Sequence, residues 1–117
     1  QGIDPVAAIR ALKGAIYHFH AKDTKIDPYN AAVNGVLDPK TFNDISVRSW
    51  AFRTVGYGND LSYWKDMISN LKMTGYDGVI SIEHEDGLMS VKEGLEKAVS
   101  FLKEILITED PTAAWWA

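Results

Sequence analysis

Ala15-Ile16-Tyr17-His18-Phe19-His20-Ala21-Lys22 is the stretch whose reading decides the fold. Successive residues of a strand point to opposite sides. Read as a strand, it places Ala15, Tyr17, Phe19 and Ala21 on one face and Ile16, His18, His20 and Lys22 on the other. A second stretch, Val79-Ile80-Ser81-Ile82-Glu83, sets Ile80 and Ile82 against Val79, Ser81 and Glu83 in the same way. A parallel sheet covered on both sides should be almost wholly apolar. Here one face of each strand turns polar toward its C-terminal end. Helices are expected over the Tyr17/Phe19 and Ile80/Ile82 faces, which leaves the His and Glu face toward a shared interior.

Three amphipathic helices surround these strands. Asp4-Pro5 reads as an N-cap followed by proline at the first helical position, with Val6, Ile9 and Leu12 on one face and Gly14 ending the helix. The second helix starts near Asn59 or Asp60, carries Leu61, Trp64, Met67, Ile68 and Leu71 at three- and four-residue spacing, and stops at Gly75. The third opens on a Ser90-Val91-Lys92-Glu93 capping box and buries Leu95, Ala98, Val99, Leu102 and Ile105. The order is therefore helix, strand, long loop, helix, strand, helix. Strands separated by helices predict an α/β fold with a parallel sheet and right-handed crossovers. A polar inner face at the strand ends is how the lumen of a (β/α)8 barrel is organised near its catalytic end.

Length and composition narrow the possibilities. At 117 residues there is room for one domain. With 46% hydrophobic and 24% charged residues the chain is neither disordered nor fibrous. Lys and Arg number 12 against 16 Asp and Glu, a net charge of −4, and no basic run appears. Such a chain is a poor partner for nucleic acid or an anionic membrane. It has no cysteine, which excludes disulfides and cysteine-based zinc sites and permits a reducing, cytoplasmic setting. No apolar stretch approaches the ~20 residues that span a bilayer. The chain starts at Gln1 without a basic or apolar leader, which is expected of a processed chain or a piece of a longer one.

Chemistry concentrates at the ends of the two strands. His18 and His20 share a face, roughly 6.5 to 7 Å apart along the strand. One imidazole together with Glu83 could ligate a divalent cation through nitrogen and oxygen, a donor set suited to Mn, Zn or Fe. The plainer reading is a histidine pair hydrogen-bonded at a sheet end. Glu83 is harder to treat as plain structure, because a carboxylate closing an Ile-Ser-Ile strand is costly to bury without a cation or a donor. Glu85 and Asp86 read better as a solvated turn before the Ser90 cap. Residues 23–58 show no convincing periodicity, yet hold Tyr29, Phe42, Trp50, Phe52 and Tyr57, and are expected to form an ordered lid over the strand ends. Arg48 and Arg53 in that lid are candidates for binding a hydroxyl, carboxylate or phosphate, with Arg48 reading rather as a surface residue. Gly56-Tyr57-Gly58 reads as a flexible hinge. Lys22, Asp23 and Lys25 stand at the strand exit, where solvated charges look the same as active-site groups. Residues 108–117, with Trp115-Trp116, form a peripheral tail.

His18-Phe19-His20-Ala21-Lys22-Asp23, Gly56-Tyr57-Gly58, Gly75-Tyr76-Asp77-Gly78 and Ser81-Ile82-Glu83, in that order, resemble the C-terminal half of sugar phosphate isomerases/epimerases of the xylose isomerase-like TIM barrel type. The resemblance extends over most of residues 1–107. It implies that the two strands are the seventh and eighth of the barrel and the first helix the sixth, so that 1–117 is a single fragment, a partial barrel. In such enzymes one divalent metal (Mn2+, Mg2+, Zn2+ or Co2+) is held by a Glu, an Asp, a His and a second Glu. By resemblance His20 and Glu83 are two of these ligands. The reaction implied is proton abstraction beside a carbonyl through a metal-stabilised enediolate, with Glu83 also one of two acid/base carboxylates. His18, Lys22 and Arg53 would contact oxygens of a sugar or sugar-phosphate substrate. A lyase or dehydratase of the same superfamily acting on keto-sugars or inososes, or a non-catalytic α/β interaction module, are the alternative readings. Because a whole barrel needs ~250 residues, the chain is expected to be inactive alone. It is also expected to need the missing N-terminal half, or to form a homo-oligomer or swapped assembly through its open strand edges.

Overall fold

The computed structural model describes residues 2–117. Helix α1 (Pro5–Ala11) follows the Asp4 N-cap, whose carboxylate accepts from the Ala7 amide. Strand β1 (Phe19–Ala21) pairs in parallel with β4 (Ile80–Ile82), in the register Phe19 to Ile80, His20 to Ser81 and Ala21 to Ile82. Helix α3 (Leu61–Met73) lies between these strands in sequence, and α4 (Val91–Ile105) follows the second. Two β/α units and a preceding helix are thus present, a partial (β/α)8 arrangement without a closed barrel among the described residues.

The paired strands are shorter than the alternation predicts. Ala15 to His18 lie before β1 and Lys22 after it, and Tyr17 is 89% exposed instead of covered by a helix. The Ile80/Ile82 face behaves as expected. It packs with Phe19 on a core of Ile9, Ala21, Val55, Trp64, Met67, Ile68, Leu71, Ala98, Leu102 and Ile105. Apolar residues at helical spacing on α3 supply much of this core. Truncating Trp64 to alanine would cost about 3–5 kcal/mol. Leu12 and Leu61, predicted on buried faces, are exposed because each sits at a helix end, past the last neighbour that could cover it. On α4 the buried stripe runs through Gly94, Ala98, Leu102 and Ile105, while Val99 faces outward. Gly94 is where the His84 ring packs against the helix, and a Cβ there would collide with it. Ser90 caps α4 by accepting from the Glu93 amide at 3.2 Å, while the Glu93 carboxylate turns to Lys97 at 3.2 Å.

The segment 23–58 is not the structureless lid its lack of periodicity suggests. It contains strand β2 (Asp23–Ile26), helix α2 (Pro28–Asn34), a 3-10 turn (Ile45–Val47) and strand β3 (Trp50–Arg53). Strands β2 and β3 pair antiparallel, Asp23 opposite Arg53 and Ile26 opposite Trp50. Each strand is only four residues long, too short to show a period in sequence. Arg48, expected at the surface, is 2% exposed. Its guanidinium lies 3.7 Å from the centre of the Phe42 ring and its Nε donates to the Trp50 carbonyl at 3.1 Å. Phe42 in turn stacks on Phe52 with centroids 5.6 Å apart, so the aromatic residues of this segment form its own small core. Among the described residues no helix is long and apolar enough to cross a membrane.

Candidate metal and substrate site

Parallel register is what assembles the site. His20 is opposite Ser81, and the Glu83 amide donates to the Ala21 carbonyl at 3.0 Å, carrying the pairing one residue past β4. This sets Glu83 beside Lys22, whose Nζ reaches Glu83 Oε1 at 2.7 Å and Glu85 Oε2 at 3.3 Å. The Ser81 hydroxyl meets two imidazoles at once, His18 Nε2 at 2.9 Å and His20 Nδ1 at 3.0 Å. The two rings lie with centroids 4.6 Å apart. Of the residues singled out in the sequence, His18, His20, Lys22 and Glu83 therefore stand together on one polar face.

The electrostatics of this group follow from Lys22. Its hydrogen bond holds the Glu83 carboxyl below the usual carboxylate range, against a smaller opposing effect of burial. The same bond raises Lys22, with burial pulling the other way. The ammonium also lies 4.0 Å from the centre of the Phe52 ring, so the β2–β3 layer supports it from behind. Glu83 is thus ionised at neutral pH.

Arg53 does not join them. Its Nε donates to Asp86 Oδ2 at 3.1 Å, and the same oxygen accepts from the Thr54 amide at 2.7 Å. Asp86 is no solvated turn residue, since its side chain is fully buried. Burial pushes its carboxyl up, but hydrogen bonds from Thr54, Leu88 and Arg53 outweigh that and leave it below the ordinary range. The turn after β4 is thereby fastened to the end of β3. Glu85, by contrast, is exposed as expected.

The residue that the sequence most understates is Asp23, which is 1% exposed. Its carboxylate accepts from the amides of Gly56 and Gly58 at 2.9 Å, from Asn59 Nδ2 at 2.7 Å and from Trp64 Nε1 at 3.1 Å. Gly56-Tyr57-Gly58 is consequently a clamped loop and not a free hinge. A Cβ on Gly58 would stand 2.6 Å from Asp23 Oδ1, which explains the glycine. The one sequence signal that could have exposed this role is the pairing of an Asp at a strand exit with a Gly-x-Gly turn.

The donor chemistry of His20 and Glu83 fits a divalent cation in part. With His20 Nδ1 engaged by Ser81, Nε2 is the nitrogen left for a metal, and Lys22 occupies only one oxygen of Glu83. Among the described residues no group of three or more His, Cys, Asp or Glu stands ready to hold a metal alone. One nitrogen and one carboxylate are half of a four-ligand site.

Residues 1–105 match the family model described as xylose isomerase-like TIM barrel. The chain belongs to that family. It is also 44% identical over 106 residues to the uncharacterized protein YfiH of Bacillus subtilis (strain 168). That match covers 91% of this chain and 34% of YfiH, so the chain spans about a third of its relative's length. The two β/α units described above lie within that match and carry the polar strand ends on which His20 and Glu83 lie.

Proposed function

We propose that this chain is part of a divalent-metal-dependent sugar or sugar-phosphate isomerase or epimerase that moves a proton beside a carbonyl through an enediolate. The observation that carries the reading is the parallel register that sets His20 against Ser81 and brings Glu83 to the same polar face. His20, through Nε2, and Glu83, through its carboxylate, would hold the cation. When bound, the metal would polarise the oxygens of the reacting carbon pair. Lys22 keeps Glu83 ionised, the state needed both to ligate and to accept a proton. His18 and Lys22 would bind substrate oxygens at the mouth of the site, with Arg53, held by Asp86, further along the rim.

Two ligands and one carboxylate do not make the reaction. The remaining Glu and Asp and the second acid/base carboxylate would come from the rest of the barrel, and the chain alone would be inactive. Open edges on β1 and β4 favour completion by that missing part or by a second copy. A cysteine-free chain acting on sugars suits the cytoplasm.

Paramagnetic broadening tests the reading. Substoichiometric Mn2+ added to the 15N- and 13C-labelled chain should broaden His20 and Glu83 signals first, and Glu83→Gln should abolish the effect at His20. Broadening spread evenly over the exposed carboxylates, or unchanged in Glu83→Gln, would overturn it.

A further inference from the structure

In (β/α)8 enzymes the substrate is bound by the loops that leave the C-terminal ends of the strands. A substrate phosphate is frequently held there by backbone amides of tight turns and helix N-termini. The two loops of this kind described here already hold anions of their own. Beyond β1, the Gly56, Gly58 and Asn59 amides, Asn59 Nδ2 and Trp64 Nε1 all donate to the Asp23 carboxylate. The first turn of α3 is capped by Asp60, which accepts from the Tyr63 amide at 2.8 Å. Beyond β4, Asp86 takes the Thr54 and Leu88 amides and Arg53 Nε. Ser90 then caps α4, and Glu93 adds a negative charge in its first turn. Asp23 and the Asp86 side chain are closed off from solvent, so an incoming phosphate cannot take their place without opening the loops.

The side-chain cations are engaged as well. Lys22 is shared by Glu83 at 2.7 Å and Glu85 at 3.3 Å, one positive charge between two negative ones, and it also lies over the Phe52 ring. Arg53 is neutralised by Asp86, and Arg48 is buried against Phe42. Lys25 is paired with Ala51, and so lies on the opposite face of the β2–β3 layer from Phe52 and Lys22. An excess negative charge a few ångströms away weakens binding of a dianion by roughly tenfold relative to a neutral oxygen, even in a water-like medium. Lys22 engages one oxygen of each glutamate, and the other oxygens can accept from hydroxyls but repel a phosphate. We propose that the substrate presents uncharged hydroxyl or carbonyl oxygens, not a phosphate or carboxylate, to this end of the site. This rests on the sugar chemistry proposed above and narrows it to a sugar that is unphosphorylated where it meets the ends of β1 and β4. The loop amides stay occupied with or without a cation on Glu83.

Titration of the 15N- and 13C-labelled 117-residue chain at pH 8 tests this, with inorganic phosphate and D-fructose as separate probes and sodium chloride matching the ionic strength. Up to tens of millimolar, phosphate should give no saturable shift at the Gly56, Gly58, Thr54 or Leu88 amides or at Lys22 Cε. D-fructose should shift the His20, Ser81 and Glu83 amides. Glu85→Lys, a change at an exposed position, turns the charge around Lys22 from one excess negative to one excess positive. That variant should bind phosphate roughly tenfold or more tightly than the wild type, with saturable shifts at Lys22. Saturable phosphate shifts in the wild type, or a Glu85→Lys chain that refuses phosphate as the wild type does, would overturn the proposal. Phosphate refused as expected, with D-fructose shifting none of the three amides, would instead count against the sugar reading alone.

Discussion

The Trp64 indole N–H and the Asp23 carboxylate, 41 positions apart, are joined by a buried hydrogen bond of 3.1 Å. Through it the helix that crosses between β1 and β4 is tied to the residue where the chain leaves the site. Asp23 is therefore a structural post for the strand end, collecting the Gly56 and Gly58 amides as well. Asp23→Ala leaves those donors buried without an acceptor and should cost about 3–5 kcal/mol, read as a lower urea midpoint. Trp64→Phe keeps most of the packing and loses one donor, and should cost about 1–3 kcal/mol.

Gly58 and Gly94 should resist alanine for steric reasons that their backbone angles do not announce. A methyl at Gly58 meets the Asp23 carboxylate, and one at Gly94 meets the His84 ring. Each Gly→Ala change should destabilise by about 1–3 kcal/mol, although in a helix such as α4 alanine is ordinarily the better residue. Equal or higher thermal stability of Gly94→Ala would show that His84 can move aside.

Stability should fall in acid. Amides of Ser49 and Lys40 hold Asp38 far below its ordinary value, and Ser46 and Lys22 do the same more gently for Asp44 and Glu83. Asp86 is also lowered, its hydrogen bonds prevailing over burial. A carboxyl whose folded pKa is depressed contributes stability above its unfolded value and loses it as pH falls through the folded one. Unfolded values are 3.8 for Asp and 4.5 for Glu, so the urea midpoint should decline from about pH 5 downward. Asp86→Asn should decline less steeply. Lys22 and Lys97 are raised, so their contributions are complete below 10.5 and are lost only as pH climbs past their folded values.

Lys22 stands where a cation on Glu83 would feel it. Removing one positive charge a few ångströms away is worth about 1 kcal/mol in a water-like medium, or roughly fivefold in affinity. Lys22→Met should therefore tighten Mn2+ binding, measured by the concentration that half-broadens His20. Weaker binding in Lys22→Met would mean that the lysine orients Glu83 more than it repels the metal.

Much of this was legible from the residues themselves. Asp4, Asp60 and Ser90 cap the helices as their positions predict, because capping is decided within three or four residues. The polar face shared by His18, His20, Lys22 and Glu83 was legible because the alternation of extended backbone is equally local, although only His20 of the four lies within the paired strands. Asp23, Arg48 and Asp86 were not. Each is buried by partners that include residues ten to forty-one positions away, many of them backbone amides or carbonyls that no side-chain pattern announces. Segment 23–58 hid its strands for a related reason: β2 and β3 cover each other, and four residues carry too little alternation to read.

The pairing of β1 with β4 joins Phe19 to Ile80 across the whole inserted segment and α3. Bringing the ends of a loop of that length together costs about 3–4 kcal/mol of chain entropy, more than any helix cap here returns. Helices and the β2–β3 pair close over shorter spans and can form earlier. Ser81 thus meets the two imidazoles, and Lys22 meets Glu83, only once that long loop has closed. A signal from that face therefore reports closure of the long loop, and not merely the formation of helices or of the β2–β3 pair.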